Sequence, residues 1–284
     1  MDQNNFIEII KKHQLDIANE LFSALINFAQ KPNSTQLTYD LIYKLDDIRS
    51  ILYSEISGNS KFSLETKHPL ASESQDHINP RGTKDDNTRS PRFVFACEQH
   101  FKKQIKFMDL GCSGGGLVFD FLKRGHDAIG LEGSDYSKKS LRAEWRVIPN
   151  HLFTCDITKP FQVKLDNEIT NFDIITMWEV LEHLNEENLL TLFENVKRHL
   201  DPNDGLLVGS IALRDDVVNG ISYHPTVKPI KWWNDIFLKY GFKFIKGPFI
   251  FDDFCRGTGN GPFDSNFKKD PDAGFHFVAC LIEY

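Results

Sequence analysis

The sequence lacks the features that would place the chain in a membrane or send it through a secretory pathway. No apolar run approaches the roughly 20 residues that a transmembrane helix needs. The first residues also lack the charged and then apolar pattern of a secretory leader. We therefore expect no membrane partner and a cytoplasmic location.

Paired cysteines are missing as well. The five cysteines are scattered along the chain and form no C-x-x-C pair. An odd number of scattered cysteines is typical of reduced thiols, and not of a disulfide framework or a zinc site. The sequence shows no dedicated cluster of metal ligands, so we expect no metal ion.

Basic residues are too few for a nucleic-acid-binding surface. The chain has 33 lysines and arginines against 40 aspartates and glutamates, which gives a net charge of −7. Binding to a phosphate backbone needs clustered Lys and Arg, so we expect no nucleic-acid partner. Hydrophobic residues make up 40% of the chain, which is enough for a sizeable core.

Residues 1–57 are predicted to form an N-terminal helical hairpin. Apolar residues recur at helical spacing over 4–30 and again over 36–56, and Pro32 lies between the two segments. Two helices alone leave their apolar faces half exposed. The hairpin therefore either packs on the rest of the chain or forms a homodimer, and the sequence leaves both alternatives open.

Residues 58–90 form a polar segment with almost no helix or strand pattern. Its first half is predicted to be a linker. Its second half, 76–89, is dense in hydrogen-bonding side chains, unlike the simple Gly/Ser composition of a flexible tether. We expect it to cover the mouth of a pocket and bind substrate. The candidate substrate-binding residues in this segment are Arg81, Asp86, Asn87 and Arg89.

From residue 91 onward, helix and strand patterns alternate, which predicts an α/β domain over 91–284 with a seven-stranded, mostly parallel sheet. The predicted helices are 91–104, 115–124, 137–145, 186–200 and 229–239. The predicted strands are 105–110, 127–132, 151–155, 172–178, 205–211, 242–251 and 275–283. No helix separates the last two strands, so they are expected to form a hairpin that adds an antiparallel terminal strand.

The start of this domain predicts a Rossmann-like nucleoside-binding turn. An apolar strand ends near Asp109 and breaks into glycines, which let a ligand approach the backbone closely. Twenty-three residues after Asp109, a second apolar strand ends at Glu132. A carboxylate in that position is well placed to bind two ribose hydroxyls.

Together these residues resemble a class I S-adenosylmethionine-dependent methyltransferase, over about residues 91–284. Asp109-Leu-Gly-Cys-Ser-Gly-Gly-Gly116 resembles the first motif of that family, with Ser113 in place of the middle glycine. Cys155-Asp-Ile157 resembles its adenine-binding segment, and residues 172–184 resemble the fourth-strand motif beside the reacting methyl group. The resemblance implies S-adenosyl-L-methionine as cofactor. The cofactor-binding residues that it implies are Asp109, Gly111, Ser113, Gly114, Gly115, Glu132, Gly133, Ser134, Asp156, Ile157 and Trp178.

Methyl transfer to a hydroxyl requires in-line positioning of the two reactants and removal of one proton. Glu179, Glu182 and His183, which follow the fourth strand, are candidate catalytic groups. His224, after the fifth strand, competes with His183 as the base, because an unperturbed imidazole titrates near pH ~6.5. Two aromatic residues near His224 are candidate walls of the acceptor pocket, namely Tyr223 and Trp232.

The polar residues of 76–89 and of the loop 222–229 suit a small polyhydroxylated acceptor. We therefore expect O-methylation of a small polar metabolite, such as a sugar or a sugar conjugate. An NAD-linked oxidoreductase shares the glycine-rich turn and the acidic second strand, but not the Asp156 motif or the terminal hairpin. A non-catalytic nucleoside-binding scaffold with a methyltransferase fold is the other alternative.

Overall fold

The computed structural model describes residues 61–251, 256–259 and 264–282, and before them only Ile17, Leu21, Leu45 and Ile48, which have helical backbone. The chain divides into two compact units, Met1–Ser60 and Lys61–Tyr284. The predicted hairpin over 1–57, with its packing or dimerisation role, lies outside the described residues apart from those four. It stays a prediction.

Helices and strands alternate through most of the second unit. Its α-helices are α1 (Gln75–Ile78), α2 (Gly82–Asp85), α3 (Pro91–Phe101), α4 (Gly116–Lys123), α5 (Tyr136–Lys139), α6 (Leu189–His199) and α7 (Ile230–Lys239). Its strands are β1 (Phe62–Thr66), β2 (Lys106–Leu110), β3 (Asp127–Glu132), β4 (Leu152–Thr154), β5 (Phe161–Leu165), β6 (Glu168–Ile169), β7 (Ile174–Trp178), β8 (Leu206–Ala212), β9 (Val217–Val218), β10 (Ile221–Ser222), β11 (Phe242–Phe244) and β12 (Gly274–Leu281). Among the described residues, no helix has the length and hydrophobicity needed to cross a membrane.

The central sheet has seven strands in the order β11-β12-β8-β7-β2-β3-β4. Strands β4, β3, β2, β7 and β8 pair in parallel, whereas β12 is antiparallel to both β8 and β11. This arrangement confirms the predicted mostly parallel, Rossmann-like sheet with an antiparallel terminal strand. Because Asp109 pairs with both Gly130 and Thr176, the ends of β2, β3 and β7 lie side by side at one edge of the sheet.

Several predicted elements are shorter in the structure, and three of them differ most in extent or type. Strand 242–251 is limited to Phe242–Phe244. Helix 137–145 ends early, because Leu141 and Ala143 both have φ of 48°, a left-handed conformation that interrupts a right-handed helix. The helix predicted to start at residue 186 begins with a 3-10 turn, Glu186–Asn188.

Regular structure also occurs where the sequence pattern predicts almost none. Strand β1 pairs with β5 in an antiparallel register, and β6 completes a small three-stranded sheet. Phe62 of β1 is buried and stacks on Phe172, with ring centroids 5.8 Å apart. The polar segment is therefore anchored to the α/β domain at its start, and α1 and α2 lie further along it.

Candidate active site

The glycine-rich turn between β2 and α4 depends on left-handed backbone conformations. Gly111 has φ of 79° and Gly115 has φ of 86°. A Cβ added at Gly111 would lie 2.6 Å from Cγ2 of Val180, so only glycine fits there. The turn therefore lies directly against the segment that follows β7.

Ser113 also has a left-handed conformation, with φ of 46°, which is strained for a residue with a side chain. Its backbone N–H donates to Oε2 of Glu132 over 2.8 Å, and its Oγ donates to the carbonyl oxygen of Asp86 over 2.9 Å. The indole N–H of Trp145 donates to the Ser113 carbonyl over 2.8 Å. These three hydrogen bonds hold the residue that replaces the middle glycine of the motif.

The Glu132 carboxylate is buried at the end of β3 and has a fixed orientation. Its Oε1 accepts from the backbone N–H of Ser134 at 3.0 Å, while Oε2 accepts from Ser113. Nε2 of His77 lies 3.5 Å from Oε1. Backbone donors thus hold an anionic group at the strand tip.

Residues 155–158 follow β4 and form the next part of the same edge. Oδ1 of Asp156 accepts from both the backbone N–H and the hydroxyl of Thr158, at 2.9 and 2.6 Å. The backbone N–H of Asp156 donates to the His68 carbonyl over 2.9 Å. Asp156 is buried, and these bonds fix the turn that carries Ile157.

Asp109 is buried beneath the turn. The Thr176 hydroxyl donates to its Oδ1 over 2.6 Å. The pKa of Asp109 is raised to about 7, mainly by burial. The Thr176 bond opposes this rise, and the nearby carboxylates of Glu132 and Asp86 contribute to it. Asp109 therefore supports the turn from below.

One cavity runs along this edge of the sheet. Seven of the eleven predicted cofactor-binding residues line it, namely Gly111, Ser113, Glu132, Gly133, Asp156, Ile157 and Trp178. The other four lie beside or under that wall, namely Asp109, Gly114, Gly115 and Ser134. Further polar residues line the same cavity, namely Asp76, His77, Asp86, Glu179, His183 and Arg256. Of these, His77 lies beside Glu132 and Gly133.

Glu179 lies in the cavity wall, next to Trp178. It has φ of 52°, an uncommon conformation that is often found at functional sites. Its Oε2 accepts from Nη2 and Nε of Arg256, at 2.7 and 3.0 Å. The sequence places Arg256 in a late loop as a residue that could edge the acceptor pocket, but no local pattern predicts its contact with Glu179.

Glu182 is fully buried. Its Oε1 accepts from the backbone N–H of Ala212 at 2.9 Å, whereas its Oε2 has no hydrogen-bond partner among the described residues. The pKa of Glu182 is raised to about 8, mainly by burial and also by the neighbouring Glu179 carboxylate.

His183 and His224, which the sequence presents as competing bases, lie together with ring centroids 4.6 Å apart. Burial and the neighbouring His224 hold the pKa of His183 well below its usual range. The His183 ring hydrogen-bonds to the backbone of Tyr223, and its buried Nδ1 has no partner among the described residues. His224 uses its Nδ1 to bond to the Arg214 carbonyl at 2.6 Å.

The predicted substrate-binding residues have different surroundings. Asp86 lines the cavity. Arg81 forms an ion pair with Asp216 and lies over the Tyr223 ring, 5.8 Å from its centroid. Asn87 and Arg89 are directed towards Glu144, and Arg89 also donates to Asp120 over 2.7 Å. Trp232 packs against the hydrophobic core.

Residues 71–90, which we term the covering segment, lie over the glycine-rich turn. The Ala71 N–H donates to the Gly133 carbonyl over 3.0 Å. Nη2 of Arg142 donates to the carbonyls of Thr83 and Asp86, at 2.6 and 2.7 Å. Sequence reasoning assigned no such role to Arg142, because its partners are backbone carbonyls that carry no side-chain signal.

Asp76 organises the inside of the covering segment. Its Oδ1 accepts from the backbone N–H groups of Arg81 and Gly82, at 2.8 and 2.9 Å. Burial raises the pKa of Asp76, but the neighbouring His183 and these N–H donors lower it by more, so its pKa lies below the usual value. Asp76 is thus an anion in the cavity wall.

Part of the chain matches the model of a known protein family. Residues 108–207 match the family described as "Methyltransferase domain". No protein of curated function matches the chain.

Several solved structures are similar to the chain. A TehB-like SAM-dependent methyltransferase from Corynebacterium glutamicum is 15% identical over 70% of this chain and 91% of the other, with a TM-score of 0.45. The glycopeptide N-methyltransferase MtfA, complexed with sinefungin, is 16% identical over 69% and 96%, with a TM-score of 0.43. An S-adenosylmethionine-dependent methyltransferase from Clostridium acetobutylicum is 12% identical over 73% and 96%, with a TM-score of 0.48.

Proposed function

We propose that this chain is an S-adenosylmethionine-dependent methyltransferase that transfers the donor's methyl group to a hydroxyl of a small polar acceptor. A sugar or a sugar conjugate is the acceptor class that we favour. The observation that carries this proposal is that one cavity is lined both by predicted cofactor-binding residues and by the polar side chains of Asp76, Asp86, Glu179, His183 and Arg256. We assign the first group to a donor end and the second group to an acceptor end.

The first end fits the donor. Glu132 would bind the ribose hydroxyls, and the Asp156–Ile157 turn would bind the adenine. Gly111 lies in the cavity wall, and the buried indole N–H of Trp178 in the same wall has no partner among the described residues. When bound, S-adenosylmethionine supplies an electrophilic methyl group on a positive sulfonium.

The second end fits an acceptor with several hydroxyls. Asp76, Asp86 and Glu179 contribute carboxylates and Arg256 contributes a guanidinium group. Acceptor hydroxyls would share or replace the hydrogen bonds that these groups make within the protein. Groups of both kinds on one wall can orient a polyol by several hydrogen bonds at once. Because positioning supplies much of the rate enhancement in methyl transfer, this end would hold the reacting oxygen in line with the methyl group.

The proton of the acceptor hydroxyl must also leave. The cluster of Glu182, His183 and His224 lies at this end, with His183 in the cavity wall. Proton removal by a positioned group typically contributes about 10²–10⁴-fold to the rate. We place proton removal at this cluster, and no residue at the donor end has that role.

The covering segment shields the site from water. The His77 ring lies so close to Gly133 that a Cβ added there would meet its Cε1 at 2.5 Å. Bonds from Arg142 and Ser113 hold the same segment over the turn. Exclusion of water strengthens the electrostatic interactions in the cavity and favours transfer over hydrolysis of the donor.

The test is a screen of the full chain with methyl-labelled S-adenosylmethionine against sugars, nucleotide sugars and small amines of similar size. We expect label in one or more hydroxyl acceptors, with an O-methyl group identified by mass spectrometry and NMR. Glu132→Gln serves as the donor-site control and should lose transfer. Transfer to amines alone would contradict the O-methylation proposal.

A further inference from the structure

We propose that Glu182, His183 and His224 form a binding site for a divalent transition-metal ion. The sequence analysis predicts no metal ion, because His224 is distant in sequence from the other two residues. The loop that carries His224 folds back onto the end of β7, and the Thr226 hydroxyl fixes it there by donating to the Leu184 carbonyl over 2.6 Å. The three side chains thereby converge at the acceptor end of the cavity.

The distances suit a shared ion. One ligand atom from each residue lies within 4.8 Å of the other two. Ligand atoms that bind a tetrahedral ion at about 2.1 Å are about 3.4 Å apart, so the site is complete once each side-chain atom moves by about 1 Å or less. Rotations about χ2 of the histidines and χ3 of the glutamate are soft enough to supply them.

The hydrogen bonds of the three residues also support a shared ion, because they leave one ligand atom of each residue without a partner among the described residues. A carbonyl can only accept, so the bond to Arg214 places the proton of a neutral His224 on Nδ1 and leaves Nε2 as the ligand atom. The His183 ring bonds to the Tyr223 backbone while its Nδ1 is unpartnered, and Glu182 bonds to Ala212 while its Oε2 is unpartnered, among the described residues. Each residue thus has one polar atom oriented by the backbone and one available for an ion, which is the arrangement that orients metal ligands.

A second observation requires a partner at this point. Glu182 has no exposed surface, and its Oε2 lies in the interior without a hydrogen bond from any described residue. A buried polar atom in that state is costly to folding. A cation between the three side chains would satisfy it, and two imidazoles with one carboxylate suit zinc, manganese or a similar ion.

The site has a chemical use that rests on the proposed function. Three protein ligands leave a coordination position on the cavity side, where His183 is accessible, for the acceptor hydroxyl. Binding to the ion lowers the pKa of that hydroxyl, and its proton leaves to solvent water. The oxygen then forms the O–CH3 bond while the S–CH3 bond breaks, and the electron pair of that bond stays on sulfur as a neutral thioether.

The test measures metal binding without any acceptor. Full-length protein is stripped with a chelator and titrated with Mn²⁺ and with Zn²⁺ by calorimetry, with stoichiometry checked by metal analysis after dialysis. We expect one ion per chain and a loss of affinity of about 100-fold in each of His183→Asn, His224→Ala and Glu182→Gln. His68→Ala, which removes an exposed histidine outside the cluster, should bind as the wild type does.

Folding of each variant is checked by circular dichroism in the absence of metal. Because His224 is only half-buried, His224→Ala is the variant most certain to fold. Affinity within twofold of the wild type in folded His224→Ala would overturn the site, as would the absence of stoichiometric binding to the wild type. Metal binding without methyl transfer to any acceptor would support the site and count against the proposed function. Full transfer by stripped protein in chelator would overturn the role of the ion in the transfer and leave the proposed function standing.

Discussion

Replacing Asp109 by Asn should change how the stability of this protein depends on pH. The carboxyl of Asp109 is buried beneath the glycine-rich turn, and burial raises its pKa from 3.8 to about 7. The folded chain therefore retains this proton between pH 4 and pH 7, whereas the unfolded chain has released it. Stability from this group is complete below the unfolded pKa and is lost as the pH rises through the folded pKa.

The magnitude follows from the width of that window. One pKa unit corresponds to about 1.4 kcal/mol, so the interval from pH 5 to pH 7 corresponds to about 3 kcal/mol of unfolding free energy. Asn cannot ionise, and its carbonyl oxygen can still accept from the Thr176 hydroxyl. We expect the unfolding free energy of Asp109→Asn, relative to wild type, to rise by up to about 3 kcal/mol between pH 5 and pH 7.

Urea unfolding of both proteins at pH 5, 6, 7 and 8, without ligand, measures this difference. Asp272→Asn, at an exposed position, controls for the removal of one negative charge. Parallel pH profiles for wild type and Asp109→Asn would refute the assignment of a buried, protonated carboxyl at the end of β2.

Three further substitutions test the donor site and the segment over it. Glu132→Gln should weaken binding of S-adenosylhomocysteine at least tenfold by calorimetry, because the anionic acceptor at the end of β3 is lost. Unchanged affinity would remove Glu132 from the site. Arg142→Ala should increase amide hydrogen exchange across residues 81–87, because it removes two charge-assisted hydrogen bonds. Each such bond contributes about 1.5–3 kcal/mol to stability. Exchange at the wild-type rate would show that other contacts hold the covering segment. Ser113→Gly should relieve backbone strain of about 1 kcal/mol at φ of 46° and also remove the hydroxyl bond to Asp86, so thermal stability changes little while exchange in the covering segment rises. A strong stabilisation with unchanged exchange would contradict this balance.

The sheet, and the edge at which Asp109 and Glu132 end neighbouring strands, were predictable because both follow from local patterns. Asp109 and Glu132 end successive apolar strands, and parallel strands bring their carboxyl ends to one edge. The alternation of strands and helices predicted a mostly parallel sheet. The lack of a helix pattern between the last two strands predicted that β12 is antiparallel.

The rest depended on contacts between residues far apart in the chain. Strand β1 exists because it pairs with β5, and only five residues carry its pattern. Arg142 binds carbonyl oxygens, which every residue possesses, so no motif marks its partners. His183 and His224 are in contact because of the path of the loop after β8. Turns and hydrogen bonds determine that path, and the hydrophobic periodicity of the sequence does not predict it.

The central claim is that the edge formed by β2, β3 and β4 binds the methyl donor. Calorimetric titration of the full chain with S-adenosylhomocysteine tests it most directly. We predict saturable binding of one molecule per chain, weakened in Glu132→Gln and retained in His68→Ala. A folded protein that shows no heat of binding for this ligand or for S-adenosylmethionine would contradict the account.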